Sequence, residues 1–183
     1  MVLLFEKYEL KDDTTLMNDI ANTILELSWF DNLGTASQET EEKVTQVMND
    51  LNVSSFQFKW ISKDELANQL DNVSLEDSPL WEKLKDIPSI YNEKIQQNEM
   101  GKLWKILVDE LPEHLFHEVF EKAYEQYEDE EIVRYLINHA MYVSILISLA
   151  KLAGEKQFAD TLVNLINTGN IVAGFNGEEL YLL

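Results

Sequence analysis

Residues 130–152 read EEIVRYLINHAMYVSILISLAKL, and the fold turns on what this stretch is. It is far longer than the roughly 5–6 residues of an ordinary strand. Asp129 stands directly before it, where a carboxylate can accept the first free backbone N–H groups of a helix. Gly154 stands just past its end, where the chain can take the left-handed conformation that stops one. A single long helix is predicted. Ala140, Ser144 and Ser148 fall at i, i+4 and i+8, a ridge of small side chains over which a neighbouring helix can pack closely. The apolar part, residues 140–149, is interrupted by both serines and closed by Lys151. A membrane span needs roughly 20 apolar residues, so the stretch reads as a buried core helix.

On either side the pattern stays helical. Pro112 opens a predicted helix over residues 113–127, with Leu115, Phe116, Val119, Phe120, Ala123 and Tyr124 expected to face inward. Residues 155–167 form another, stopping before Gly169. The tail, residues 171–183, reads as a hairpin around Asn176-Gly177, the pair that favours a type I′ turn.

Toward the N-terminus, residues 102–110 and 90–97 read as helix, with Gly101 a joint and Pro88 a break from the segment that Ser78-Pro79 begins. Ser62 and Glu65 have the spacing of a capping box for a short helix running to about residue 70. Before it, Phe56, Phe58 and Trp60 alternate with Gln57 and Lys59, the period of a half-buried strand. Ser37 and Thr40 cap a helix with a Val44, Val47, Met48 and Leu51 stripe. Leu16, Ile20, Ile24 and Leu27 mark a helix over residues 15–30, stopped by Gly34. Residues 2–10 read as a strand or the lead-in to that first helix. No repeat or Pro/Gly-rich linker divides the chain. The expected fold is mainly α, a single domain over residues 1–183, with about seven helices and a small β element that includes the C-terminal hairpin.

Charge is the distinctive property. Thirty-four Asp and Glu face 14 Lys and Arg, a formal net charge of -20, and Arg134 is the sole arginine. Such a surface repels nucleic acid and anionic membranes and steers basic partners toward itself. The absence of cysteine excludes disulfides, thiolate nucleophiles and Cys-bound metals. The first ten residues lack the basic region and long apolar run of a signal peptide, so a cytoplasmic location is expected. No glycine-rich phosphate cradle, nucleophile elbow or His-Glu-x-x-His pattern occurs, and no cofactor is implied.

The acidity is concentrated between Asp109 and Glu131, ten acidic residues with Lys122 as the only base. Glu110, Glu113, His114, His117, Glu118, Glu121, Glu125 and Glu128 recur at helical spacing, which puts most of them on one stripe opposite the predicted apolar face. Like charges at i, i+4 destabilise a helix by a few tenths of a kcal/mol per pair. Three readings of the stripe compete: a solvated outer face, a binding surface for a basic protein, and a metal site of His114, His117, Glu118 and His139. Imidazole and carboxylate suit zinc, manganese or iron, yet the Glu-x-x-His pairs of di-iron bundles are missing, because Leu111 and Leu136 precede His114 and His139 by three. His139, among Ile137, Ala140 and Met141, reads as a hydrogen-bonded core or boundary histidine.

The tryptophans at residues 29, 60, 81 and 104 sit at periodic apolar positions and are expected in the core, with Trp81 and Tyr91 the candidates for exposed anchors. The leading functional expectation is a non-catalytic acidic protein, immunity- or antitoxin-like, that occludes a basic partner such as a nuclease or toxin. The partner-binding residues would be Glu110, Glu113, His117, Glu118, Glu121, Glu125 and Glu128. The alternative is a metal-dependent helical-bundle enzyme using His114, His117 and His139. In a third reading, the small-residue ridge or the hairpin edge pairs copies of the chain.

Overall fold

The computed structural model describes residues 15–69, 79–105 and 111–183, without the side chains of residues 15, 17, 79–85, 98, 111–116 and 118. The expected strand at residues 2–10, the Ser78 cap, Glu110 and the side chains of Trp81, Glu113, His114 and Glu118 lie outside the described residues. Within them the chain is mainly α with a small β element: eight α-helices and one three-stranded sheet. The helices are α1 (Thr15–Leu25), α2 (Gln38–Asp50), α3 (Leu66–Gln69), α4 (Pro79–Lys94), α5 (Gln97–Lys105), α6 (Leu111–Gln126), α7 (Glu130–Leu152) and α8 (Lys156–Ile166). The strands are β1 (Gln57–Trp60), β2 (Val172–Asn176) and β3 (Glu179–Leu182).

The long helix α7 is the axis of the core. Asp129 caps it, its carboxylate accepting the backbone N–H groups of Glu131 at 2.8 Å and Ile132 at 3.3 Å. Gly154, at φ 81, takes the left-handed conformation beyond its end. Ile132, Val133, Leu136, Val143, Leu146 and Ile147 are all buried. By length and composition α7 could cross a membrane, but 56% of its apolar window is buried by the rest of the chain, as befits a core helix. The small-residue ridge is buried too. Ser144 and Ser148 donate their hydroxyls to the carbonyls of Ala140 and Ser144 at 2.7 and 2.6 Å, so neither leaves a polar atom unpaired. Being inside the chain, the ridge offers no surface for pairing copies.

The sheet has the order β1-β3-β2. β2 and β3 form the C-terminal hairpin, with Asn176 opposite Glu179. The two turn residues are therefore Gly177 and Glu178 rather than Asn176 and Gly177. Only the first has positive φ, 57° at Gly177, which is a type II′ pattern in place of the expected I′. β1 joins β3 in parallel, Phe58 beside Leu180 and Trp60 beside Leu182. The Trp60 indole N–H donates to Glu41 Oε1 at 2.8 Å, which anchors the sheet to α2. Ser62 and Glu65 form the capping box that their spacing predicts.

Three expectations are corrected. The first helix ends at Leu25, not residue 30. Trp29 and Phe30 follow it as fully buried core side chains, and Phe30 reaches φ 63 to turn the chain. That strained backbone is tied down by Gln126, whose side-chain N–H donates to the Phe30 carbonyl. Second, α4 runs through Pro88 without a break. Proline removes one intrahelical hydrogen bond there, and the buried Ile87 beside it and Ile95 just past the helix end hold the helix against the core. Third, Trp104 is 48% exposed, because α5 turns Leu103 inward instead.

Candidate functional site

Helix α6 carries the acidic stripe, and its packing decides which way the stripe points. Val119, Ala123 and Tyr127 are buried, and the helix packs on α7 and α1. Residues 117, 120, 121, 124 and 125 project from the opposite side, since 100° per residue puts them within one arc, and Glu128 follows two residues past the helix end. All six are exposed. The stripe is thus an outward face on which three of its predicted residues, His117, Glu121 and Glu125, stand together, with Glu128 exposed in the turn before α7.

Phe120 and Tyr124 were expected to face inward, and the structure reverses this. They are 45% and 47% exposed, and their rings stack on each other with centroids 5.2 Å apart and an interplanar angle of 29°. The apolar positions of α6 cover too wide an arc for one neighbour to bury, and α7 and α1 take the Val119–Ala123 side. The result is a pair of aromatics lying among carboxylates. Sequence reasoning missed both; the signal that could have found them is their i, i+4 spacing in register with His117 and Glu121.

The face keeps its negative charge. Lys122, the only base of the acidic stretch, projects sideways and reaches Asp31 Oδ1 at 3.0 Å. Glu121 lies 3.3 Å from His117 Nε2, an ion pair only when that histidine is protonated. Glu125 and Glu128 form no ion pair among the described residues. Glu121 and Glu125 are one turn apart on α6 and repel each other.

The metal candidates are distributed differently from the expectation. His117 has 71% of its side chain in solvent. His139 lies on α7, and its Nε2 is shielded from solvent without a hydrogen-bond partner. Burial pushes its pKa down to about 4, so the imidazole is neutral at physiological pH. The expected hydrogen-bonded histidine is therefore an unpaired one, a state that costs about 1–3 kcal/mol. Among the described residues no three His, Asp or Glu side chains come together as a metal cluster.

No protein-family model, curated protein or solved structure matches this chain.

Proposed function

We propose that the chain is a non-catalytic acidic binding protein that occludes a basic partner with the outer face of α6, in the manner of an immunity protein or antitoxin held against a nuclease or toxin. The observation that carries this reading is the Phe120–Tyr124 stack among unneutralised glutamates. A face needed only for solubility has no use for two exposed aromatic rings in contact. Interfaces combine such anchors with a polar rim: the rings supply desolvated contact area, and the surrounding charges steer the encounter and set its register. The sign of those charges specifies a basic partner.

The test is retention of a partner from cells of the source organism by three forms of the protein. These are the wild type, Phe120→Ala/Tyr124→Ala, and Glu121→Lys/Glu125→Lys/Glu128→Lys. A basic protein held by the wild type at low salt and lost by both variants is expected. The aromatic variant should weaken the purified pair roughly 10–100-fold, the range of two anchor truncations. The charge variant should in addition flatten the salt dependence. A partner retained equally by all three forms would remove this face from the function.

A further inference from the structure

A second feature shares no residue with the α6 face. Where α7 and α8 meet α2 and strand β2, the chain forms a partly open cavity of about 330 Å³. Small-molecule sites span roughly 300–1,000 Å³, and an engineered space of about 150 Å³ already takes up benzene. Val47, Met48, Val143, Leu146, Leu162 and Leu165 supply much of the wall. No Asp, Glu, Lys or Arg is among the described residues lining it, in a chain whose net charge is -20.

Four side chains with polar N or O atoms line it, Tyr135, Asn138, His139 and Tyr142, and two of them narrow the chemistry. Tyr135 is committed, its hydroxyl donating to the Ala173 carbonyl. His139 also lines the cavity, and its Nε2 is a buried polar atom with no partner. Its χ2 torsion is soft, so a turn of the ring can bring a nitrogen to the cavity wall. The low pKa of His139 means that it presents a neutral imidazole there. With no cationic group in the lining, an anionic ligand would lose its hydration without a counter-charge.

We infer that this cavity is a binding site for a neutral, largely apolar molecule of roughly two-ring size, bearing one hydroxyl group that pairs with Nε2 of His139. The hydroxyl supplies the partner the imidazole lacks, and the apolar body packs against the aliphatic wall.

The experiment is a titration of the methyl-labelled protein with naphthol, naphthalene and naphthoate, read by NMR near neutral pH. Naphthol should shift the methyl signals of Val143, Leu146, Leu162 and Leu165 and leave those of Ile20 and Leu103 in place. Naphthalene should bind the same site about five- to tenfold more weakly, the worth of one neutral hydrogen bond. Naphthoate should bind more weakly than either. His139→Phe should erase the preference for naphthol over naphthalene while keeping both in the cavity, and Val143→Phe should abolish uptake by filling the space. If either variant fails to fold, the wild-type series still decides. No cavity shifts up to on the order of 1 mM naphthol, or naphthoate binding as tightly as naphthol, would overturn the inference.

Discussion

Thr40 in α2 donates its hydroxyl to Oδ1 of Asn170, 2.8 Å away and 130 residues later in the chain, and both side chains are closed off from water. The Asn170 amide completes the junction by donating to the carbonyls of Asn32 at 2.6 Å and Thr35 at 3.2 Å. One side chain thus joins the loop after α1, the first turn of α2 and the approach to β2. Asn170→Ala leaves the Thr40 hydroxyl and the Thr35 carbonyl short of a partner, while the Asn32 carbonyl keeps the Thr35 N–H at 3.1 Å, and should cost about 2–4 kcal/mol. Thr40→Val removes a single bond and should cost less. Urea denaturation with an unchanged slope would measure both, and equal losses would show that the junction does not act through Asn170.

Gly169 and Gly154 provide a matched pair at the same loop conformation, φ 80 and 81. A Cβ on Gly154 would meet nothing within 4 Å, whereas one on Gly169 would stand 2.7 Å from the backbone nitrogen of Asn32. Gly154→Ala should therefore cost only the backbone penalty, about 1 kcal/mol. Gly169→Ala must also displace the Asn32 N–H from its 3.0 Å bond to the Gly169 carbonyl, and should cost roughly 3 kcal/mol or more. Thermal unfolding of the two variants side by side gives the difference.

His139 should make stability depend on pH in a defined window. Its folded pKa of about 4 lies below the unfolded value of 6.5, so between these the unfolded chain holds a proton that the folded chain does not. Stability is full above pH 6.5 and is lost as pH falls toward 4, by an amount approaching about 3 kcal/mol. The carboxylates titrate in the same region, so the measurement is the difference between wild type and His139→Leu. The stability of wild type relative to the variant should fall as the solution is acidified, and a pH-independent difference would mean that the ring is hydrated.

Much of this architecture is legible in the sequence because its signals are local. Asp129, Ser37 and the Ser62–Glu65 pair cap the helices they precede, and the Phe58/Trp60 alternation gives a strand with its half-buried face where expected. The parallel pairing of β1 with β3 is not local: it joins segments some 120 residues apart through helices whose packing no short pattern encodes. The outward turn of Phe120 and Tyr124 has a related cause. Periodicity locates an apolar arc on α6, but which edge of a wide arc is buried depends on where α1 and α7 lie. Pro88 misleads for the same reason, since burial of Ile87 and Ile95 outweighs the lost hydrogen bond. His139 has apolar neighbours in sequence, yet only the assembled walls show that its Nε2 finds no partner.

The α6 face makes a last prediction that separates recognition from stability. Glu125 stands one turn after Glu121, an arrangement that works against the helix. Glu125→Lys puts an ammonium four residues after Glu121, the favourable orientation, and removes that repulsion. Since the side chain is exposed and unpaired among the described residues, nothing is lost in exchange. The variant should be more stable than wild type by about 0.5–1 kcal/mol at low ionic strength, and the gain should fade as salt screens it. Phe120→Ala/Tyr124→Ala should likewise stay within about 1 kcal/mol of wild type, because half-exposed rings stacked on one another support little of the core. Acidic and aromatic side chains that can be removed without loss of stability would leave the face free for the binding role proposed above. A marked loss of stability in either variant would instead assign the face a structural role.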